Sequence, residues 1–117
     1  MMEFRIVHDE AARRYRAVDG QAVAGFIEYR QRGGELALTH TVVDPLFEGR
    51  GVGSALVAHA LAEARRQGWG VLPYCPFVLA YLIKRPELIE LVPPERRADF
   101  GLALAQSQTT AIPTEEP

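Results

Sequence analysis

The sequence has a single cysteine, no long apolar run and no cluster of basic residues. Cys75 alone cannot form an internal disulfide, and without a second cysteine nearby a structural zinc site is not expected. No apolar stretch reaches the roughly eighteen residues of a membrane span, and the N-terminus lacks the basic and apolar regions of a signal peptide. Lysine and arginine occur at most in pairs and the formal net charge is -2, which disfavours nucleic acid as a partner. We therefore expect a cytoplasmic protein that binds no metal, membrane or nucleic acid.

What the chain does have is the composition of one globular domain. Its 117 residues are 48% hydrophobic and 24% charged, which suits a single packed core and leaves too little chain for two. Residues 108–117 are polar and contain proline, so we expect a disordered tail after a domain at 1–107.

The sequence pattern before Asp44 predicts β-strands. Alternating and β-branched apolar residues are separated by the turn signals Asp19-Gly20 and Gly33-Gly34, and Asp44-Pro45 ends the last run. This pattern indicates an antiparallel meander. The four predicted strands are Phe4–His8, Tyr15–Val18, Val23–Arg30 and Glu35–Val43.

From Gly51 onward the period changes to that of a helix. Val52, Leu56, Ala60 and Ala64 form one apolar stripe, which ends at basic residues followed by Gly68. The remaining predicted elements are a strand at Trp69–Pro73, a helix from Cys75 through Tyr81, a short strand at Leu88–Val92 and a helix at Glu95–Gln106. Strands followed by alternating strands and helices predict an α+β fold with a mixed sheet.

A glycine-rich turn, Glu48–Ser54, joins the fourth strand to the long helix. Backbone N–H groups at such a helix start have no partner within the helix and favour an anion such as a diphosphate, although many glycine turns only begin helices. The segment lacks the Lys-Ser or Lys-Thr of a nucleotide-binding P-loop, because Ser54 and Ala55 follow Gly53. A dinucleotide fold is also disfavoured, since Leu72-Pro73 stands where its acidic residue is needed.

Taken together, these segments resemble the GNAT acyltransferases, whose acyl-CoA motif is Gln/Arg-x-x-Gly-x-Gly/Ala. Glu48–Gly53 matches all but the first position. The chain is especially similar to a minimal single-domain group of that superfamily, which it matches at His40-Thr41, at the glycine turn and at Pro73–Val78. It departs from that group at Arg85, where a histidine is usual.

The resemblance implies that the chain binds acetyl-CoA between a splayed fourth and fifth strand of a sheet flanked by two main helices. Pyrophosphate is then expected at the glycine turn, and pantetheine along the fourth strand, with sheet-like hydrogen bonds to the backbone of Thr41, Val42 and Val43. The implied cofactor-binding residues are Thr41, Val42, Val43, Glu48, Gly49, Arg50, Gly51, Val52, Gly53 and Ser54.

Three side chains are candidates for the chemistry. Tyr81 matches the tyrosine with which many GNAT enzymes protonate the departing coenzyme A thiolate. Cys75 lies where a strand meets a helix, a position that favours a thiolate, and it is a candidate nucleophile. His40 is a candidate base for the amine or for Cys75. Each of the three equally suits a purely structural role.

The expected function is transfer of an acetyl group from acetyl-CoA to an amine, either a small molecule or a protein, that the sequence does not identify. The alternative is a module that binds acyl-CoA without catalysis, because the chain lacks the longer insertion that shapes the acceptor site in larger GNAT enzymes. A monomer and a homodimer both fit the sequence.

Overall fold

The computed structural model describes residues 4–102, which fold as a five-stranded sheet with helices. Three short 3₁₀ helices accompany the main elements, at Pro45–Phe47, Pro86–Leu91 and Pro94–Phe100. The main elements are β1 (Arg5–Asp9), β2 (Arg14–Asp19), β3 (Ala22–Arg32), β4 (Glu35–Val43), α1 (Val52–Gln67), β5 (Gly70–Pro73) and α2 (Pro76–Ile83).

The strands are ordered β1-β2-β3-β4-β5 across the sheet. The first four pair antiparallel through tight turns, and Gly20 and Gly33 adopt positive φ in two of those turns. The pairing of β4 with β5 is parallel, because α1 carries the chain back across the sheet before β5 begins. This architecture confirms the α+β prediction with a mixed, mostly antiparallel sheet. No helix within the described part of the chain is long and apolar enough to span a membrane.

The core lies between α1 and one face of the sheet. The apolar stripe that includes Leu56 and Ala60 is buried, and it packs on β2, β3 and β4, whose inward side chains include Ile27 and Leu38. Helix α1 ends at Gly68 in the left-handed conformation, as the sequence predicts.

Strands β4 and β5 separate after a short paired stretch. Their last paired residues are Leu38 and Pro73, and the Cys75 N–H donates to Leu38 O at 2.9 Å. Strand β4 continues to Val43 while the chain after Pro73 turns into α2. Among residues 4–102, the edge of β4 beyond Leu38 therefore has no neighbouring strand on that side.

Two predictions for the C-terminal part were wrong. The predicted strand Leu88–Val92 is a 3₁₀ helix, Pro86–Leu91, because Leu88 and Leu91, which are one 3₁₀ turn apart, both pack against the core. The predicted helix Glu95–Gln106 is a 3₁₀ helix, Pro94–Phe100, that ends at Gly101 with a φ of 73°. Leu102 is again helical, while residues 103–106 of that prediction and the predicted tail 108–117 lie outside the described residues.

Gly25 of β3 lies unusually close to the backbone of β4. A Cβ there would lie 2.6 Å from the Val42 carbonyl oxygen and 3.1 Å from Val52 Cγ1. Because the strand backbone cannot yield without opening the ladder, Gly25→Ala is expected to lower the free energy of unfolding by about 1–3 kcal/mol or more. Urea unfolding measures this, with Gly34→Ala as the control, since a Cβ at Gly34 meets open space. Equal stabilities of the two variants would contradict the prediction.

Tyr15 is buried between the sheet and α1, with its ring 5.0 Å from that of His59. Burial, with a smaller contribution from Glu63, raises the pKa of Tyr15 to about 12. The unfolded chain loses this proton near pH 10, so the contribution of Tyr15 to the free energy of unfolding is constant below about pH 10 and falls by up to about 1.4 kcal/mol per pH unit between about pH 10 and about pH 12. Urea unfolding at several alkaline pH values should show a shallower decline in Tyr15→Phe. An unchanged decline would contradict the burial argument.

Candidate functional site

A cavity of about 330 Å³ lies where α1 begins, between the glycine turn and the end of β4. Its walls come from four elements: the turn itself, Val43 of β4, Phe47 of the first 3₁₀ helix and Phe77 in the first turn of α2. Of the predicted cofactor-binding residues, the structure brings seven to this one cavity. They are Val43, Glu48, Gly49, Gly51, Val52, Gly53 and Ser54.

The start of α1 presents backbone rather than side chain to this cavity. Gly49 and Gly51 have φ values of 80° and 81°, which glycine adopts without strain, and Gly51 is the N-cap residue. No side chain of the described residues caps the helix, and its first turn contains no acidic residue. The first N–H groups and the positive end of the helix dipole are therefore available to an anion.

Close packing shapes the other wall of the cavity. A Cβ at Gly53 would lie 2.9 Å from Cζ of Phe77 and 3.1 Å from its Cε2. The aromatic ring thus rests on the helix backbone at a position that only glycine leaves open. Sequence reasoning missed Phe77 as part of the site, because its 44% exposure and its contact with Gly53 are visible only in the folded chain.

The charges beside the turn oppose each other. Arg50 lies over the ring of Phe47, with its guanidinium carbon 5.7 Å from the ring centre, so its positive charge stays close to the cavity. Glu48 is exposed and lines the cavity directly. The glutamate carboxylate thus disfavours an anion that the backbone and Arg50 favour.

Cys75 lies at the point where β4 and β5 separate. The residue is 5% exposed and forms the N-cap of α2, and its Sγ lies 3.4 Å from the Thr41 hydroxyl. The contact between Thr41 and Cys75 brings together two predicted site residues from different elements. Sequence reasoning assigned Thr41 only a backbone role, so the hydroxyl is a further feature of the site.

The free edge of β4 faces the same opening. The Asp44 N–H donates to Ala24 O of β3 at 2.8 Å. Backbone groups alternate in direction along a strand, so those of Val43 and Thr41 point away from β3 and into the opening, while those of Val42 point towards β3. Of the three predicted pantetheine contacts, Thr41 and Val43 therefore offer backbone groups, and Val42 offers only its exposed side chain.

The structure does not bring the other two catalytic candidates to Cys75. His40 is adjacent to Thr41 in β4, so its side chain extends from the opposite face of the sheet, where Nδ1 lies 3.3 Å from Glu28 Oε1. Tyr81 is half-buried and lines a separate cavity with Leu61 of α1. Its ring is covered by the Arg85 guanidinium, 3.7 Å from the ring centre.

A family model described as GCN5-related N-acetyl-transferase matches residues 14–91. The chain belongs to that family. The match extends from β2 to the 3₁₀ helix after α2 and includes the glycine turn, Thr41 and Cys75, which confirms the resemblance to the GNAT superfamily.

A crystal structure of Ard1 from Thermoplasma volcanium is similar to this member of the GCN5-related N-acetyl-transferase family, with 29% sequence identity and a TM-score of 0.45. The similar region covers 49% of this chain and 39% of the Ard1 chain, so it spans less than half of either protein. No curated protein matches the sequence.

The described part of the molecule contains no cluster of side chains suited to bind a metal ion. No group of three or more histidine, cysteine, aspartate or glutamate side chains that could hold a metal ion occurs among residues 4–102. The chemical groups that the site offers are backbone groups, the Cys75 thiol, the Thr41 hydroxyl, the Glu48 carboxylate and the nearby Arg50 guanidinium.

Proposed function

We propose that this family member transfers an acetyl group from acetyl-CoA to an amine. The observation that carries the proposal is the cavity at the uncapped start of α1, which meets β4 at Val43, while Thr41, two residues back along the free edge of β4, contacts the Cys75 thiol. An anion site, an unpaired strand edge and a nucleophilic group, in that order, suit the pyrophosphate, pantetheine and thioester of one extended cosubstrate.

The first turn of α1 is the proposed pyrophosphate site. The N–H groups of Val52, Gly53 and Ser54 precede the first intrahelical donor, since the Ala55 N–H already bonds Gly51 O at 3.0 Å. Each orphan N–H and the helix dipole favour negative charge by roughly 0.3–1 kcal/mol at an exposed site. Three such groups and Arg50 together favour a diphosphate at this position.

The free edge of β4 is the proposed pantetheine site. Pantetheine contains two amide groups, and the outward backbone groups of Thr41 and Val43 offer both donors and acceptors for them. An extended molecule that pairs with this edge takes the place that β5 occupies farther along the sheet. Its thioester end then points toward Leu38 and the Cys75 thiol.

Acetyl-CoA supplies a thioester that is already activated for acyl transfer. The Cys75 thiol is placed to react with it, because its Sγ lies at the N-terminus of α2 and within reach of the Thr41 hydroxyl. In a thiol route, a bond forms between Sγ and the acetyl carbon while the bond to the coenzyme A sulfur breaks, and the departing thiolate takes up a proton. The amine then attacks the Cys75 thioester and restores the thiol. In a direct route the amine attacks first and Cys75 only lines the site.

Turnover separates acetyl transfer from binding alone. The purified protein is incubated with acetyl-CoA and a panel of amines, and release of free coenzyme A is followed together with product mass. Acetylated amine formed faster than in a protein-free control supports the proposal. Saturable binding of acetyl-CoA without any turnover would instead indicate an acyl-CoA binding module, consistent with the position of His40 on the face of the sheet opposite Cys75.

A substitution of Glu48 is expected to strengthen acetyl-CoA binding rather than to weaken it. Its carboxylate lines the proposed pyrophosphate cavity, so Glu48→Gln removes a like charge while it preserves the size of the side chain. We expect acetyl-CoA to bind a few-fold more tightly to this variant in calorimetric titrations at low salt. Glu90→Gln, an exposed change on a separate 3₁₀ helix, is the control. Weaker binding by Glu48→Gln would show that the carboxylate assists binding.

A further inference from the structure

A second cavity, of about 280 Å³, lies on the face of the sheet opposite α1. Glu28 and His40 are paired across β3 and β4 and both line it. The neighbours of Glu28 in β3, Ile27 and Tyr29, belong to the core on the other face, which places the Glu28 and His40 side chains on the open face. The turn between β1 and β2 forms the remaining wall and contributes Arg13.

The lining of this cavity carries excess positive charge. The Glu28 carboxylate is already engaged on both oxygens, by Arg14 at 2.7 Å and by His40 Nδ1 at 3.3 Å. Arg13 and Arg30 also line the cavity, and neither takes part in an ion pair within residues 4–102. Two arginines therefore face a cavity whose one carboxylate is neutralised by Arg14.

The nearby acidic residues do not neutralise these arginines from the cavity wall. Asp9 accepts the Ala12 N–H at 3.1 Å and pairs with Arg16 at 3.7 Å. Glu10 lies in the same turn but outside the cavity lining. The positive charge of the lining is thus left for a bound molecule.

The turn that carries Arg13 is held in one conformation. Arg13 has a φ of 58°, a left-handed conformation that non-glycine residues rarely adopt. Two backbone hydrogen bonds hold it, from the Arg13 N–H to Glu10 O at 3.1 Å and from the Tyr29 N–H to Arg13 O at 3.0 Å. Arg13 is therefore presented to the cavity from a fixed backbone rather than from a loose loop.

This cavity and the proposed thioester site share β4. Thr39 and His40 line the cavity, and the next residue, Thr41, contacts Cys75 on the other face. Beyond Leu38 no strand of the described chain lies beside the β4 edge, so the sheet is open between the two faces at this point. A molecule in the cavity can present an amine to the thioester through that opening.

We infer that this cavity is the acceptor site and that the acceptor is an amine which also carries a carboxylate or phosphate group. The inference rests on the proposed acetyltransferase function. Arg13 and Arg30 bind the anionic group, since guanidinium groups pair strongly with both carboxylate and phosphate. The amine end lies toward His40 and the β4 opening.

Matched pairs of amines test the anionic group directly. The pairs are 4-aminobutyrate against butylamine, and phosphoethanolamine against ethanolamine, each with acetyl-CoA and the purified protein. We expect kcat/KM to be at least tenfold higher for the anionic member of at least one pair, and the favoured pair distinguishes carboxylate from phosphate. If butylamine and ethanolamine are each acetylated as fast as, or faster than, their anionic counterparts, the inference is overturned and the acetyltransferase function is left intact.

Arginine variants test whether the preference for anionic amines arises at this cavity. Arg13→Gln and Arg30→Gln are each expected to reduce the anionic preference at least fivefold without changing the affinity for acetyl-CoA in calorimetry. Arg32→Gln, on the same strand but outside the cavity lining, is the matched control. An unchanged preference in Arg13→Gln and Arg30→Gln would overturn the assignment to this cavity.

A direct binding measurement tests the anion site independently of catalysis. In ¹H–¹⁵N spectra of the wild type, 4-aminobutyrate or phosphoethanolamine should shift the backbone signals of Arg13, Arg30 and Thr39, while butylamine and ethanolamine should not. Such shifts without acetyl transfer would contradict the proposed function but support the anion site. Acetyl transfer without such shifts would contradict the anion site but support the proposed function.

Discussion

Ser54→Glu is expected to weaken acetyl-CoA binding about a hundredfold or more while it leaves the fold intact. Ser54 is exposed in the first turn of α1 and lines the proposed pyrophosphate cavity. Like charges about 5 Å apart at an effective dielectric constant near 20 repel by about 3 kcal/mol, and a glutamate at this position meets the pyrophosphate at close range. The same glutamate favours the positive end of the helix dipole, so the free energy of unfolding should stay the same or rise by a few tenths of a kcal/mol.

Gln67→Glu is the matched control for this effect. It adds the same charge at the other end of α1, far along the helix from the cavity. Calorimetric titration should give wild-type affinity for this variant, and urea unfolding of both variants checks the fold. If Ser54→Glu binds acetyl-CoA as tightly as Gln67→Glu does, the pyrophosphate does not bind at the start of α1.

Cys75→Ala is expected to reduce kcat for acetyl transfer by a hundredfold or more if the thiol carries the acetyl group. Removal of a covalent nucleophile eliminates the thiol route and leaves only slower direct attack by the amine. Without an acceptor amine, the wild type should gain the mass of one acetyl group on incubation with acetyl-CoA, and Cys75→Ala should not. Intact-mass spectrometry and steady-state kinetics measure the two effects.

Thr41→Val distinguishes the effect of the Cys75 thiol from that of the neighbouring hydroxyl. This variant keeps Cys75 but removes the hydroxyl that lies 3.4 Å from its Sγ, so we expect slower acetylation of the thiol with the adduct still formed. An unchanged kcat in Cys75→Ala, with no adduct in the wild type, would assign the protein to direct transfer. The affinity for acetyl-CoA should be similar in all three proteins, because neither side chain lies at the pyrophosphate site.

Patterns that depend on neighbours in the sequence predicted most of the fold. The turn at Gly33, the stripe that includes Leu56 and the glycine that ends α1 at Gly68 each reflect a local rule, and the structure has all three. The prediction at Leu88–Val92 was wrong because a short apolar run fits a strand or a helical turn equally well. There the contact of Leu88 and Leu91 with the core decided in favour of the 3₁₀ helix.

The candidate site was predictable only in part. Features made of contiguous residues could be predicted from the sequence, and contacts between residues distant in the sequence could not. The turn Glu48–Ser54 is contiguous, so its role as the start of α1 could be inferred from the glycines alone. The contact of Thr41 with Cys75 depends on the register of β4 with β5, which no local pattern specifies. The cavity that holds Arg13 requires a turn, two strands and a left-handed residue to meet, and it could be recognised only in the folded chain.

Calorimetric titration of the purified wild-type protein with acetyl-CoA tests the central claim most directly. We predict saturable binding of one molecule per chain, displaced by free coenzyme A and strongly weakened in Ser54→Glu. The absence of binding heat under conditions where the protein is folded, with no displacement signal from a labelled coenzyme A, would contradict the claim that the glycine turn is an acyl-CoA site.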